Sequence, residues 1–210
     1  MTTHYIHRGL AKKNFKENTL SAFKYSFKKK YGIETDLQVT KDNQLICFHD
    51  FNLRRKFNLN KNVKDINYYS LKKISKKKKA PVPLLKDLLK ISKNRYPLLL
   101  EIKPLLTKLS LLSLIKLMKK TKKYGIFSFK EKNLINLYKL NKKLTLGLLF
   151  LSTSNLRIIK LKSKKPYVKF LGLEKSFLSN KKLTKIKKPI FYYTVKGKNL
   201  FKKYKNSKNL

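Results

Sequence analysis

Short apolar runs and longer stretches of helical spacing alternate along the chain. Runs rich in β-branched and aromatic residues fall at 4–6, 33–39, 45–48, 98–102, 126–129, 144–150, 168–173 and 190–195, and each is predicted as a strand. Between most of them apolar residues recur every three or four positions. Leu20, Phe23, Phe27 and Tyr31 make one such face. Asn18 or Thr19 suits its N-cap, Lys28 to Lys30 its C-terminal dipole, and Gly32 its stop. Further helices are predicted at 84–92, 110–123, 132–140, 155–162, 180–187 and 200–205. Strands alternating with helices in this way predict an α/β fold, a (β/α)8 TIM-type barrel. One link breaks the alternation. Between Asp36 and Ile46 there are too few residues for a crossover helix, and Thr40-Lys41-Asp42-Asn43 reads as a tight turn. The second βα unit is therefore predicted to be degenerate. Residues 54–80 lack clear periodicity and end in a lysine run, so a long solvated loop with one short helix is expected there.

Composition narrows the setting. With 210 residues, six glycines and six prolines, and no block of either, residues 1–210 are expected to form a single domain. His7, already a candidate for chemistry, leaves no room for a signal peptide before it. The longest apolar stretch, 109–118, is broken by Ser110, Ser113 and Lys116 and falls far short of a membrane span. Cys47 is the single cysteine; it sits inside an apolar run, so a buried inert thiol and a reducing cytoplasm are expected.

The net charge of +44 would ordinarily point to nucleic acid. Arginine, which base and bidentate phosphate readout prefer, occurs only at positions 8, 54, 55, 95 and 157. The lysines are spread through every element beside abundant Asn, Ile, Phe and Tyr, a mix that an AT-rich coding sequence supplies. No specific nucleic-acid partner is expected. The Lys-rich exterior offers contact with anionic surfaces, and its field would steer anionic substrates inward in a salt-dependent way.

Against that background the ten acidic residues and three histidines stand out. In a barrel of this class the working groups sit at the C-terminal ends of strands. Glu34 and Asp36 lie two apart, so on a strand they share a side, and Glu101 ends the next long apolar run. Three carboxylates without a Cys or His ligand describe an oxygen-rich site for a hard divalent cation, Mg²⁺ or Ca²⁺. The alternative, simple pairing with lysine, explains one such acid more easily than three at successive strand ends. His7 and His49 are the candidate general acid and base. His4, on the opposite phase of the first strand, is read as structural. Arg8 and Lys103 are cations placed to hold an anionic oxygen, which in company with a metal suggests phosphoryl chemistry.

Six pieces carry a resemblance. They are His7-Arg8-Gly9, Glu17-Asn18-Thr19-Leu20-Ser21-Ala22-Phe23, Glu34-Thr35-Asp36, Thr40-Lys41-Asp42, His49-Asp50 with Leu53-Arg54, and Glu101-Ile102-Lys103. In order and spacing they resemble the glycerophosphodiester phosphodiesterase family. Weaker echoes lie in the stretch from Val82 to Leu89, in Ser128-Phe129 and in Tyr193-Thr194-Val195. The resemblance implies metal-dependent hydrolysis of small glycerophosphodiesters to sn-glycerol 3-phosphate and an alcohol. It also implies a barrel with a reduced second unit. Glu34, Asp36 and Glu101 would hold the metal, His7 and His49 would form the acid/base pair, and Arg8 and Lys103 would hold the phosphate. Glu17, Asn18 and Asp50 would support the site. Lys16 stands where the family usually has Pro. Tyr193 and Lys196 replace its usual Trp and Asn in the region that shapes the alcohol pocket, which bears on substrate preference. Two rival readings are a lysophospholipase D-type enzyme acting at a membrane surface and a non-catalytic, polyanion-binding basic protein.

Overall fold

A computed structural model describes residues 4–11, 16–196 and 198–204. The chain folds as two compact units, His4–Tyr124 and Gly125–Leu210. In the first, β1 (Tyr5–His7), α1 (Leu20–Lys28), β2 (Gly32–Val39) and β3 (Leu45–Cys47) are followed by α2 (Arg54–Phe57), α3 (Tyr68–Lys77), α4 (Leu85–Ser92), β4 (Leu98–Ile102) and α5 (Lys108–Met118). Strand β2 runs parallel to β1 on one side and to β4 on the other. Almost all of β2 is buried, as befits a strand between parallel partners. Its buried polar residues, Glu34, Thr35, Asp36 and Gln38, are therefore the anomaly in this sheet. The Thr19 side chain caps α1 by accepting the Ala22 amide, and Phe23 and Phe27 on the apolar face of that helix are buried.

The 45–48 run was expected as a third parallel barrel strand. It pairs antiparallel with β2 instead, Leu37 opposite Cys47 and Val39 opposite Leu45. The cause is the short link. Asn43 in the left-handed region and the Asn43 amide donating to the Thr40 carbonyl (2.9 Å) close a hairpin that only antiparallel strands accept. The degenerate second unit is thus explained, and Cys47 ends up buried with its thiol pushed up to about 12 by that burial.

Residues 54–80 also differ from expectation. Beyond α2 they hold a 3-10 turn at Val63–Asp65 and the ten-residue α3. Phe48, Leu53, Phe57, Val63, Leu71 and Val82 bury one another in a satellite core, with the Phe48 and Phe57 rings stacked at 5.9 Å. α2 and the 3-10 turn are too short to show a period, and in α3 Tyr68, Leu71 and Ile74 stand among lysines, so the apolar residues read as scattered. The Leu53 amide donates to Lys61 and the Val63 amide to Phe51, which ties the segment into a compact loop directly behind His49.

The second unit carries β5 (Tyr124–Ser128), α6 (Glu131–Leu140), β6 (Leu146–Phe150), α7 (Leu156–Ser163), β7 (Phe170–Glu174), β8 (Ile190–Tyr193) and α8 (Lys198–Tyr204). Its strands pair in sequence order, β5 to β8, all parallel. Gly147 is required because the Phe170 ring occupies the space a Cβ would need. A 3-10 turn at Lys175–Phe177 follows β7, and the helix expected at 180–187 is replaced by a second one at Lys181–Leu183. In the second turn Leu183 is buried while its lysine neighbours are exposed, too narrow an apolar face to hold an α-helix. The last expected helix, 200–205, starts earlier, at Lys198, and Lys205 lies outside the described residues. No described helix is long and apolar enough to cross a membrane.

If the satellite core holds α3 in place, Leu71→Ala, which empties a fully buried position, should destabilise the protein by about 2–5 kcal/mol. Urea unfolding measures this, and a midpoint within error of the parent would show that α3 is not packed as described.

Candidate active site

Strand register assembles the site. His7 is the β1 partner of Glu34, and Asp36 is the β2 partner of Glu101 on β4. Four groups from distant parts of the sequence thereby reach adjoining positions on parallel strands, His7 at the end of β1 and Glu101 one residue from the end of β4. Carboxylate oxygens of Glu34, Asp36 and Glu101 lie within 4.8 Å of one another. Burial, then the Asp36 and Glu101 charges, push the Glu34 carboxyl well above its ordinary range. Burial and Asp36 likewise raise Glu101. Three like charges in one half-dry cluster resist ionising together.

Two cations offset part of that cost. Lys103 Nζ lies 2.9 Å from Glu101 Oε1 and 3.7 Å from Asp36 Oδ1. Arg8 Nη1 donates to Glu17 Oε2 at 3.2 Å, and its Nε lies 3.1 Å from Asp36 Oδ2. That Nε is buried and misaligned for a hydrogen bond, so its proton is unspent. The Arg8 backbone is in the left-handed region, φ 59°, and Gly9 follows at φ 76°. A non-glycine residue held there carries about 1–2 kcal/mol of strain. The turn persists because the Arg8 amide donates to the Glu34 carbonyl (2.8 Å) and the Asn18 amide to the Arg8 carbonyl (2.8 Å). Gly9 is doubly required, since a Cβ would also press on Phe23 at 2.9 Å. Asn18 is locked from both ends of its amide. Its Nδ2 donates to Asp36 at 3.1 Å, and its Oδ1 accepts from the Thr35 hydroxyl at 2.7 Å.

The histidines differ in surroundings. His7 Nε2 lies 3.9 Å from Glu34 Oε2. Burial first, then the Arg8 charge, lower its pKa to about 4. His49 Nδ1 lies 2.7 Å from Asp50 Oδ1, a contact that fixes the ring and leaves Nε2 free. Asp50 in turn accepts from Arg55 Nε at 2.7 Å, and Arg55 Nη2 reaches Glu17 Oε1 at 2.9 Å. Burial works against the Asp50 and Glu17 carboxylates, but Arg55 and, respectively, His49 and Arg8 outweigh it and hold both low. Lys56 donates to the Glu17 carbonyl at 2.8 Å, and burial lowers its pKa to about 8.

The structure thus gathers His7, Arg8, Glu17, Asn18, Glu34, Asp36, His49, Asp50, Glu101 and Lys103 in the first unit. Tyr193 and Lys196 belong to the second. There the Tyr193 hydroxyl donates to the Phe150 carbonyl (2.8 Å), its ring meets Phe129 edge-on, and Lys196 is exposed. Sequence reasoning missed Thr35, Arg55 and Lys56. It singled out Arg54, whose side chain makes no site contact among the described residues, while the next residue makes three. The available signal was scarcity, because two of the few arginines stand just after His49-Asp50.

The donor set suits a divalent cation. Mg²⁺ and Ca²⁺ bind oxygens at about 2.0–2.6 Å, so ligand oxygens of one ion lie no more than about 5 Å apart. The 4.8 Å cluster meets that limit, and its raised carboxyls describe negative charge that the protein's own cations leave incompletely matched.

Known proteins share this arrangement of chain and fold. The model of the Glycerophosphoryl diester phosphodiesterase family matches residues 7–202. A glycerophosphodiester phosphodiesterase of Bacillus altitudinis is 34% identical over 110 residues, 49% of this chain and 44% of that protein. A lysophospholipase D of Homo sapiens is 39% identical over 72 residues, 34% of this chain and 23% of that protein. The matched segments thus span less than half the length of these curated relatives. Among solved structures, a glycerophosphodiester phosphodiesterase from Thermotoga maritima superposes with TM-score 0.80 at 20% identity, covering 98% of this chain and 91% of that one. A phosphodiesterase from Oleispira antarctica, solved with the product sn-glycerol-3-phosphate, gives 0.82 at 19% identity, covering 97% and 89%. This likeness shows the fold, the TIM-type α/β class expected from the alternation of strands and helices.

The raised carboxyls set a pH dependence. A group whose folded pKa lies above its unfolded value stabilises the fold below the unfolded value, and that contribution is lost as pH rises through the folded one. In EDTA, Glu34→Gln should therefore melt higher than the parent at pH 7, and the gap should narrow toward pH 4. Mg²⁺ or Ca²⁺ should raise the parent's Tm more than the variant's. Thermal melts check both; equal melting points at pH 7 in EDTA would contradict the charge-crowding account.

Proposed function

The chain belongs to the glycerophosphoryl diester phosphodiesterase family, and on that premise we propose that it hydrolyses small glycerophosphodiesters to sn-glycerol 3-phosphate and an alcohol. The observation that carries the proposal is the buried carboxylate cluster with His7 at the end of β1, His49 just after β3 and two cations beside it. Family membership over residues 7–202 also supports reading the chain as one catalytic domain.

Glu34, Asp36 and Glu101 would hold Mg²⁺ or Ca²⁺, which when bound supplies electrophilic stabilisation to a phosphate oxygen. Arg8 and Lys103 hold the anionic diester. Arg8 already has an unspent Nε proton, and Lys103 has three donors to divide between carboxylates and phosphate. Both are largely shielded from water, where charge-assisted contacts are strong. His7 and His49 move the two protons of the reaction, one leaving the attacking oxygen and one reaching the departing alcohol. With Nδ1 committed to Asp50, His49 works through Nε2. Glu17 and Asn18 keep Arg8 and Asp36 in register from the first loop.

Glycerol 3-phosphate release from glycerophosphocholine tests the reading, with activity expected in Mg²⁺ or Ca²⁺ and lost in EDTA. His7→Ala and His49→Ala should each lower kcat by about 10²–10⁴-fold. The double variant should lose far less than the product of the two, because the pair acts as one unit. Parent protein that releases no glycerol 3-phosphate under any metal condition would refute the assignment.

A further inference from the structure

Arg55 takes no part in the chemistry above, yet it joins two elements of the site. It sits on α2, the one-turn helix that follows the His49 loop. One edge of its guanidinium meets Asp50, through Nε at 2.7 Å and Nη2 at 3.2 Å; Nη2 also reaches Glu17 at 2.9 Å. Asp50 holds the His49 ring at Nδ1. Glu17 is itself fixed, because Arg8 holds its other carboxylate oxygen at 3.2 Å and Lys56, the neighbour of Arg55, holds its carbonyl. A continuous chain therefore runs from the first loop to the His49 ring: Glu17, Arg55, Asp50, His49.

We propose that Arg55 is a positioning residue that sets the orientation and tautomer of His49 by clamping Asp50 against the Glu17 loop. The inference rests on the hydrolase reading for its kinetic consequence but not for its structural one. An unclamped Asp50 can rotate about its side-chain torsions, and the His49 ring, one-third exposed, would then sample both tautomers and several orientations. The fork of an arginine is needed for the task. Two nitrogens address two carboxylates at fixed angles, which the single ammonium of a lysine does not reproduce. With 57% of its side chain exposed, the Arg55 pairs contribute little to global stability. The clamp's effect therefore falls on geometry at the site, which separates it from an ordinary structural ion pair.

The experiment uses the full chain with Arg55→Gln, Arg55→Lys, Asp50→Asn and the double Arg55→Gln, Asp50→Asn variant. Nitrogen-15 histidine spectra report the ring directly. In the parent, His49 should be held with its proton on Nδ1, whereas in Arg55→Gln it should show exchange between tautomers. Kinetically, Arg55→Gln should lower kcat about 10–100-fold with a smaller change in KM, and Arg55→Lys should recover part of it. On the Asp50→Asn background the same change should cost less than about twofold, since groups acting through one another are not additive. Melting points of the parent and Arg55→Gln should agree within a few degrees. An unchanged His49 spectrum in Arg55→Gln overturns the proposal, as does a full kinetic loss that persists on the Asp50→Asn background. If the parent releases no glycerol 3-phosphate, the hydrolase reading fails, and the spectra alone still decide the role of Arg55.

Discussion

Three carboxylates buried side by side on two parallel strands are the constraint around which the first unit is organised. Bringing one ionised carboxylate out of water is costly unless it is paired, and the register of β2 with β4 brings Asp36 and Glu101 opposite each other while Glu34 stands two residues away. The protein answers with Arg8 and Lys103. These two match the charge only in part, so Glu34 and Glu101 keep raised pKa values. A structure selected for stability alone would have filled these positions with apolar residues, as it does at Ile33, Leu37, Leu100 and Ile102 on the same strands. The residual mismatch is what a divalent cation would relieve.

The loop conformations follow from that demand. For Arg8 to reach under Asp36 while its backbone leaves β1, the chain turns at once through a left-handed residue, and Gly9 must follow because no side chain fits against Phe23. Asn18 closes the same turn, again left-handed, and spends its amide on Asp36 and Thr35. In a protein with dozens of lysines, the charges that bridge two acids at once from a single planar group are both arginines, Arg8 and Arg55. Lys103 also touches two acids, Glu101 and Asp36, but as one point charge without the fixed angles of a planar fork.

This division explains what was legible in the sequence. Scarce acids and histidines at the ends of apolar runs were visible because the rest of the chain is so basic, and strand periodicity then placed them on one edge. The short link after Asp36 foretold an irregular second unit, although the antiparallel course of β3 was not drawn from it. Residues 54–80 were misread because α2 and the 3-10 turn are too brief to establish a period and lysines surround the few apolar residues of α3; their burial is set by partners such as Phe48 and Val82 just outside the stretch. Arg54 and Arg55 cannot be told apart by motif spacing alone. Only the turn of α2 decides which guanidinium faces Asp50 and which faces water.

The overall charge and the site pull in different directions, and distance decides where each prevails. A field from +44 net charge attracts anions and repels divalent cations. At physiological ionic strength that field fades over about 8 Å, so only charges within roughly that distance act strongly on the carboxylate cluster. Within it, Glu34, Asp36 and Glu101 face Arg8 and Lys103 in surroundings from which water is largely excluded, where nearby charges are screened least. Under the proposed function, cation binding would be governed by short-range carboxylate contacts and diester capture by longer-range steering. Raising salt should weaken the second while leaving the first comparatively intact. A lysine-rich surface is compatible with the proposed chemistry for the same reason: it would change how fast an anion arrives, not what the buried acids can hold.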